Sequence, residues 1–177
     1  LWGAAGAVTL GAGGYKLLRG FEDDPAETLA EIPPALQHAA LDVHVHVLGT
    51  DTPGTGCWMH PSMQSSIQAW AGLWNLRLSR DQADFDQAYI AYLRSRMASA
   101  GFLKQAVLLA QDWTHDERGR RAQERTPFHV PNDYVARLVA DHPGEFLFGA
   151  SIHPYRPDAL DELDRVTEMG AVLVKWI

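Results

Sequence analysis

A single cysteine, Cys57, stands in 177 residues, so no intrachain disulfide forms, and neither a disulfide scaffold nor a cysteine-based zinc site can be built. Basic residues are also scarce: 15 Lys and Arg face 22 Asp and Glu, giving a formal net charge of -7. Phosphate-rich partners draw on clustered cations, which excludes nucleic acid and an anionic membrane surface as main partners. Arg118, Arg120, Arg121 and Arg125 form the one basic cluster, but Asp116, Glu117 and Glu124 are interleaved with them, and the stretch reads as a solvated loop. A long apolar run is missing too. The uncharged stretch LWGAAGAVTLGAGGY at 1–15 is followed at once by Lys16 and Arg19, and it falls short of the roughly 20 residues a spanning helix needs. It is rich in glycine and lacks an initiating Met, so it is expected to be the remnant of a signal or membrane anchor. That expectation favours a membrane-anchored or exported location over a cytoplasmic one. Residues 1–35 are accordingly assigned to an apolar leader and linker, and the folded domain to 36–177.

What is present suits one ordinary domain, because 46% apolar and 10% aromatic content can bury a core. LDVHVHVLG at 41–49 alternates with period two and predicts a strand. An insertion at about 50–80 follows, carrying Gly54, Gly56, Pro53 and Pro61, a helical patch from Ile67 to Leu78, and Trp58, Trp70 and Trp74. Phe85, Ala88, Tyr89, Tyr92, Leu93 and Met97 recur at helical spacing, and Gly101 closes that helix. KQAVLLAQDW at 104–113 is a near-continuous apolar run, as in a parallel strand covered on both faces. Asn132 is expected to cap a helix ending near His142, EFLFGASI at 145–152 is a strand, and Pro157 to Met169 is a helix with Leu160, Leu163 and Val166 on one face. AVLVKWI at 171–177 is a last strand. Strands alternating with helices define an α/β architecture with parallel neighbours, either an open sheet or part of an eight-stranded barrel. Ending on the apolar strand at Ile177, the chain is expected to be truncated.

Chemistry concentrates in the first strand. Residues two apart share a face, so Asp42, His44 and His46 line one side and Val43, Val45 and Val47 the other. Eight histidines would give roughly 0.4 His-x-His pairs by chance, and requiring Asp two residues earlier cuts this to roughly 0.03, so the triplet carries weight. Both imidazoles then reach one cation, with Asp42 orienting a ring or holding a hydrogen bond behind the ligands. A buried first strand would leave two imidazoles costly without such a partner. Lys175 shares a strand face with Ala171, Leu173 and Ile177, and a buried lysine needs a reason. Asp112 and His153 close the second and third main strands and are expected to line the pocket or anchor loops. His60, His115 and His129 sit in loops without a spacing signal, and His38 and His142 look exposed.

DVHVHVLGTD at 42–51 resembles the first-strand signature of the amidohydrolase superfamily. VPNDYVARLVADHPGEFLFGASIHP, from Val130 to Pro154, and GAVLVKWI at 170–177 resemble its amidohydrolase-related branch of hydrolases and nonoxidative decarboxylases. The resemblance covers Leu41 to Ile177 and implies a (β/α)8 TIM barrel truncated to about its first four βα units. It implies that His44 and His46 are metal ligands and that Lys175 bridges two ions if carbamylated. It also implies that the remaining ligands and the general base lie beyond Ile177. The cofactor expected is one or two divalent ions, zinc first and manganese or iron as alternatives.

The activity expected is metal-dependent hydrolysis, with activated water attacking a carbonyl-type centre of a small-molecule substrate. Nonoxidative decarboxylation on the same scaffold is the alternative, and a noncatalytic α/β interaction domain is a second. This segment alone is expected to be inactive. Unpaired edges on its first and last strands predict self-association.

Overall fold

The structure is a computed structural model that describes residues 33–34, 40–49, 54–66 and 85–176. Most of the leader, the helical patch with Trp70 and Trp74, His38 and Ile177 lie outside the described residues. Among the described residues no helix is long and apolar enough to cross a membrane.

In chain order the elements are β1 (Ala40–His46), β2 (Trp58–Met59), α1 (Pro61–Gln64), α2 (Phe85–Ala100), β3 (Leu103–Leu109), β4 (Phe128–His129), α3 (Asn132–Asp141), β5 (Phe146–Ser151), α4 (Ala159–Glu168) and β6 (Leu173–Lys175). The four longer-range strands make one parallel sheet in the order β1-β3-β5-β6, while β2 and β4 pair antiparallel in a ribbon of their own. This overturns the expected barrel segment of four βα units. The chain is α/β with a half-barrel parallel sheet, but β2 and β4 join each other rather than the main sheet. Two-residue strands are shorter than any alternation can register, which is why the sequence pattern passed over them.

The core sits between β3, β5 and the helices. Leu108, Val135, Ala150 and Val166 are fully buried, with Phe146 and Phe148 nearly so. Burying a large aliphatic or aromatic side chain contributes roughly 1.5–3 kcal/mol, so the central strands anchor the sheet. β5 approaches β3 closely at Gly149, where an added Cβ would lie 2.7 Å from Leu109 Cδ2 and 2.9 Å from Val107 Cγ1. Helix α2 buries Phe85, Tyr89 and Ile90 and sets Leu93 and Met97 against the core, following the predicted stripe. Gly101 ends it with φ of 72°.

Three local expectations change. Pro131, not Asn132, occupies the cap of α3. Asn132 turns its amide inward, donating to Ser151 O at 3.1 Å and Glu162 Oε1 at 2.7 Å and accepting from Ser151 N at 2.9 Å. On α4, Val166 is buried while Leu160 and Leu163 face outward, at 77% and 38% exposure. β1 was expected to be buried, yet it is an edge of the sheet, and Leu41 and Val43 are exposed alongside Asp42 and His44.

Candidate metal-binding histidine pair

β1 does not run as a regular strand. Its pairing with β3 slips between Asp42 and Val45, where three steps along β1 match two along β3. Such a bulge re-aims side chains that strict alternation would hold parallel. His44 and His46 consequently converge, with their Nε2 atoms 3.1 Å apart and ring planes at 58°. Two nitrogens bound to one cation at about 2.0–2.1 Å stand roughly 3.0–3.4 Å apart, so the pair has the spacing of two ligands on one ion. A proton shared between the two nitrogens fits the same distance.

The surroundings hold one ring in place. Tyr89, projecting from α2, donates its hydroxyl to the His46 carbonyl at 2.8 Å, and burial pushes the phenol up to about 12. Phe128 of β4 meets the His46 ring edge-on at 6.4 Å. Burial, then the positive charge of Lys175, then His44, hold His46 below the ordinary imidazole range. The neutral, lone-pair form required of a metal ligand is thereby favoured. Asp42 Oδ1 accepts the His44 main-chain N–H at 2.9 Å and pins the bulge rather than a ring.

Lys175 reaches the same end of the sheet. Its Nζ donates to Gln111 Oε1 at 2.9 Å, and burial lowers its pKa. Gln111 is buried just past β3, and its main chain exchanges hydrogen bonds of 2.9 and 2.8 Å with Val130, fastening the ribbon to the sheet. The strand ends thus gather His44, His46, Lys175 and Gln111 where open α/β sheets ordinarily bind ligands. Gln111 was missed by sequence reading, although a polar residue closing the run AVLLA was a signal available there.

Asp112 and His153 come together, but as a fastening. Asp112 Oδ2 accepts the His153 N–H at 2.8 Å and Arg156 Nη1 at 3.1 Å, and its Oδ1 accepts the Trp113 N–H at 2.8 Å. The bonds to His153 and Arg156 tie the chain just past β3 to the loop that follows β5. His153 is buried, its Nδ1 accepts from the Tyr155 N–H at 3.2 Å, and burial followed by His115 lowers its pKa.

The two faces of the β2-β4 ribbon separate two environments. Phe128 meets His46 on one, whereas the cross-strand pair Trp58 and His129 meets Trp113 on the other, at ring distances of 5.1 and 4.3 Å. Arg121 lies over Trp113 with its guanidinium carbon 3.3 Å from the ring centre. Burial depresses the His129 ring to about 4, and its buried Nδ1 has no hydrogen-bond partner.

Among the described residues no group of three or more His, Cys, Asp or Glu is placed to hold a metal ion. The donor set present is therefore two imidazoles, suited to a borderline cation such as zinc but short of the three or four protein ligands a stable site uses. No family model, no curated protein and no solved structure matches the chain.

Proposed function

We propose that the chain carries two metal ligands, His44 and His46, of a metal-dependent hydrolase of the amidohydrolase type acting on a small-molecule substrate. The observation that carries this reading is the convergence of the two Nε2 atoms to 3.1 Å at the C-terminal ends of parallel strands. Further ligands and the general base come from outside the described residues. When bound, a divalent cation lowers the pKa of water and polarises a carbonyl. His44 and His46 hold their lone pairs toward a common point, Tyr89 fixes the main chain of His46, and Gln111 fixes the Lys175 amine.

Lys175 divides hydrolysis from the decarboxylase reading. Burial favours its neutral amine, the form that carbamylation to a two-ion bridge requires, while a charged ammonium beside His46 would instead hold a substrate carboxylate. Retention of a carbamate mass on Lys175 in native mass spectrometry speaks for the first.

Calorimetric titration with zinc or manganese tests the core claim. Weak binding of one ion, as two imidazoles allow, is expected per chain, with affinity falling about tenfold or more in His44→Ala and in His46→Ala. Binding that is absent, or that survives both substitutions unchanged, overturns the proposal.

A further inference from the structure

Trp113 has both faces covered. His129 stacks on it at 4.3 Å with planes 22° apart, and the Arg121 guanidinium lies 3.3 Å from its centre, too close for both to share a face. The order is therefore Arg121, Trp113, His129, with Arg121 as the outer layer and Trp58 flanking Trp113 at 5.1 Å. A guanidinium laid on an indole gives its face to the ring and keeps its in-plane N–H groups for other partners.

Those N–H groups are not used by other described residues. Among the described residues the Arg121 guanidinium makes no hydrogen bond and no ion pair. Its neighbours differ: Arg120 pairs with Asp116 at 2.7 Å, and Arg156 is held by Asp112 and Asp158. Arg121 stands exposed at the surface, with one side of its guanidinium against the indole. A cation held against an aromatic face and lacking a counter-ion among the described residues is prepared for an incoming anion, because rotamer freedom has already been lost.

We propose that Arg121, set on the Trp113–His129 stack, is a binding subsite for the carboxylate of a small planar ligand. The charge decides the class. One guanidinium fork matches one carboxylate in charge and in bidentate geometry, whereas a phosphate dianion ordinarily draws on additional cations. A flat ligand is favoured because its ring can continue the stack over the outer face of Arg121 or against Trp58. This subsite stands on the opposite ribbon face from His46 and does not depend on the histidine pair binding metal.

Chelator-treated protein titrated with benzoate, with benzamide as neutral isostere, and with phenyl phosphate gives the test, read by ligand-observed NMR and by calorimetry. Benzoate is expected to bind saturably and at least about tenfold more tightly than either analogue. Arg121→Met, which keeps an apolar stem over Trp113, is expected to abolish that preference, and Arg121→Lys to restore only part of it. A circular-dichroism melt within a few degrees of the parent shows that Arg121→Met still folds; should it not, Arg121→Gln carries the comparison. Equal binding of benzoate and benzamide, tighter binding of phenyl phosphate, unchanged affinity in the substituted protein, or no saturable benzoate binding would each overturn the proposal. Chelation keeps failure here distinct from failure of the metal reading.

Discussion

At the residue scale, His129 ties packing to pH. Its ring is depressed to about 4, chiefly by burial, against an ordinary value near 6.5. The unfolded chain therefore takes up this proton first as the solution is acidified. The stabilisation is complete above about pH 6.5, drains as pH falls toward 4, and changes no further below, amounting to on the order of 3 kcal/mol. His129→Phe keeps a ring on Trp113 and removes the titration. Urea melts at pH 7 and pH 4.5 should show the parent losing more stability than the variant over this interval, and equal losses would count against the assignment. Acid should also disturb Trp113, because a charged imidazole on the indole would face Arg121 across the same ring.

At the scale of elements, Gly149 is the tightest joint in the sheet. A methyl there would press on Leu109, on Val107 and, at 3.1 Å, on the Leu108 carbonyl. Because the last of these is main chain, side-chain rotation alone cannot relieve the crowding. Gly149→Ala is expected to cost about 1–3 kcal/mol of stability, checked by chemical denaturation. A variant as stable as the parent would mean that β3 and β5 part more easily than their packing implies.

How much of this was legible beforehand follows from the length and burial of each element. β3 and β5 announce themselves through AVLLA and FLFGAS, since strands covered on both faces read as apolar runs. α2 was legible from individual apolar positions at helical spacing, Phe85, Tyr89, Leu93 and Met97, which do turn to the core. The β2-β4 ribbon rests on four residues and has no period to read. Among site residues, the pattern pointed to His44, His46 and Lys175, which the fold does bring to one end of the sheet. The bond from the His44 main chain to Asp42 was not legible, because a bulge is a property of two strands together and one strand's alternation cannot encode it. Arg121 was hidden for another reason: RGRR looks like any solvated loop until its partner across the fold, Trp113, is known.

On the scale of the whole molecule, the described sheet has open edges at β1 and β6. Leu41 and Val43 lie exposed near the first, and Val172 and Trp176 near the second, with Trp176 at 76%. Leu160 on α4 adds to the uncovered apolar surface. Unpaired parallel strands flanked by such side chains recruit other chains. The 177-residue chain is expected to self-associate with increasing concentration in sedimentation velocity, and Val43→Lys with Val172→Lys should shift it toward monomer. A parent that sediments as a single monomer across the concentration range would contradict this.

The Tyr89 hydroxyl that grips the His46 carbonyl has a mechanical consequence. It spans from the second turn of a sixteen-residue helix to the last residue of β1, so α2 is coupled directly to the main chain of the histidine pair. Loss of that hydroxyl would free the His46 main chain, and the spacing of the two imidazoles would no longer be tied to the helix.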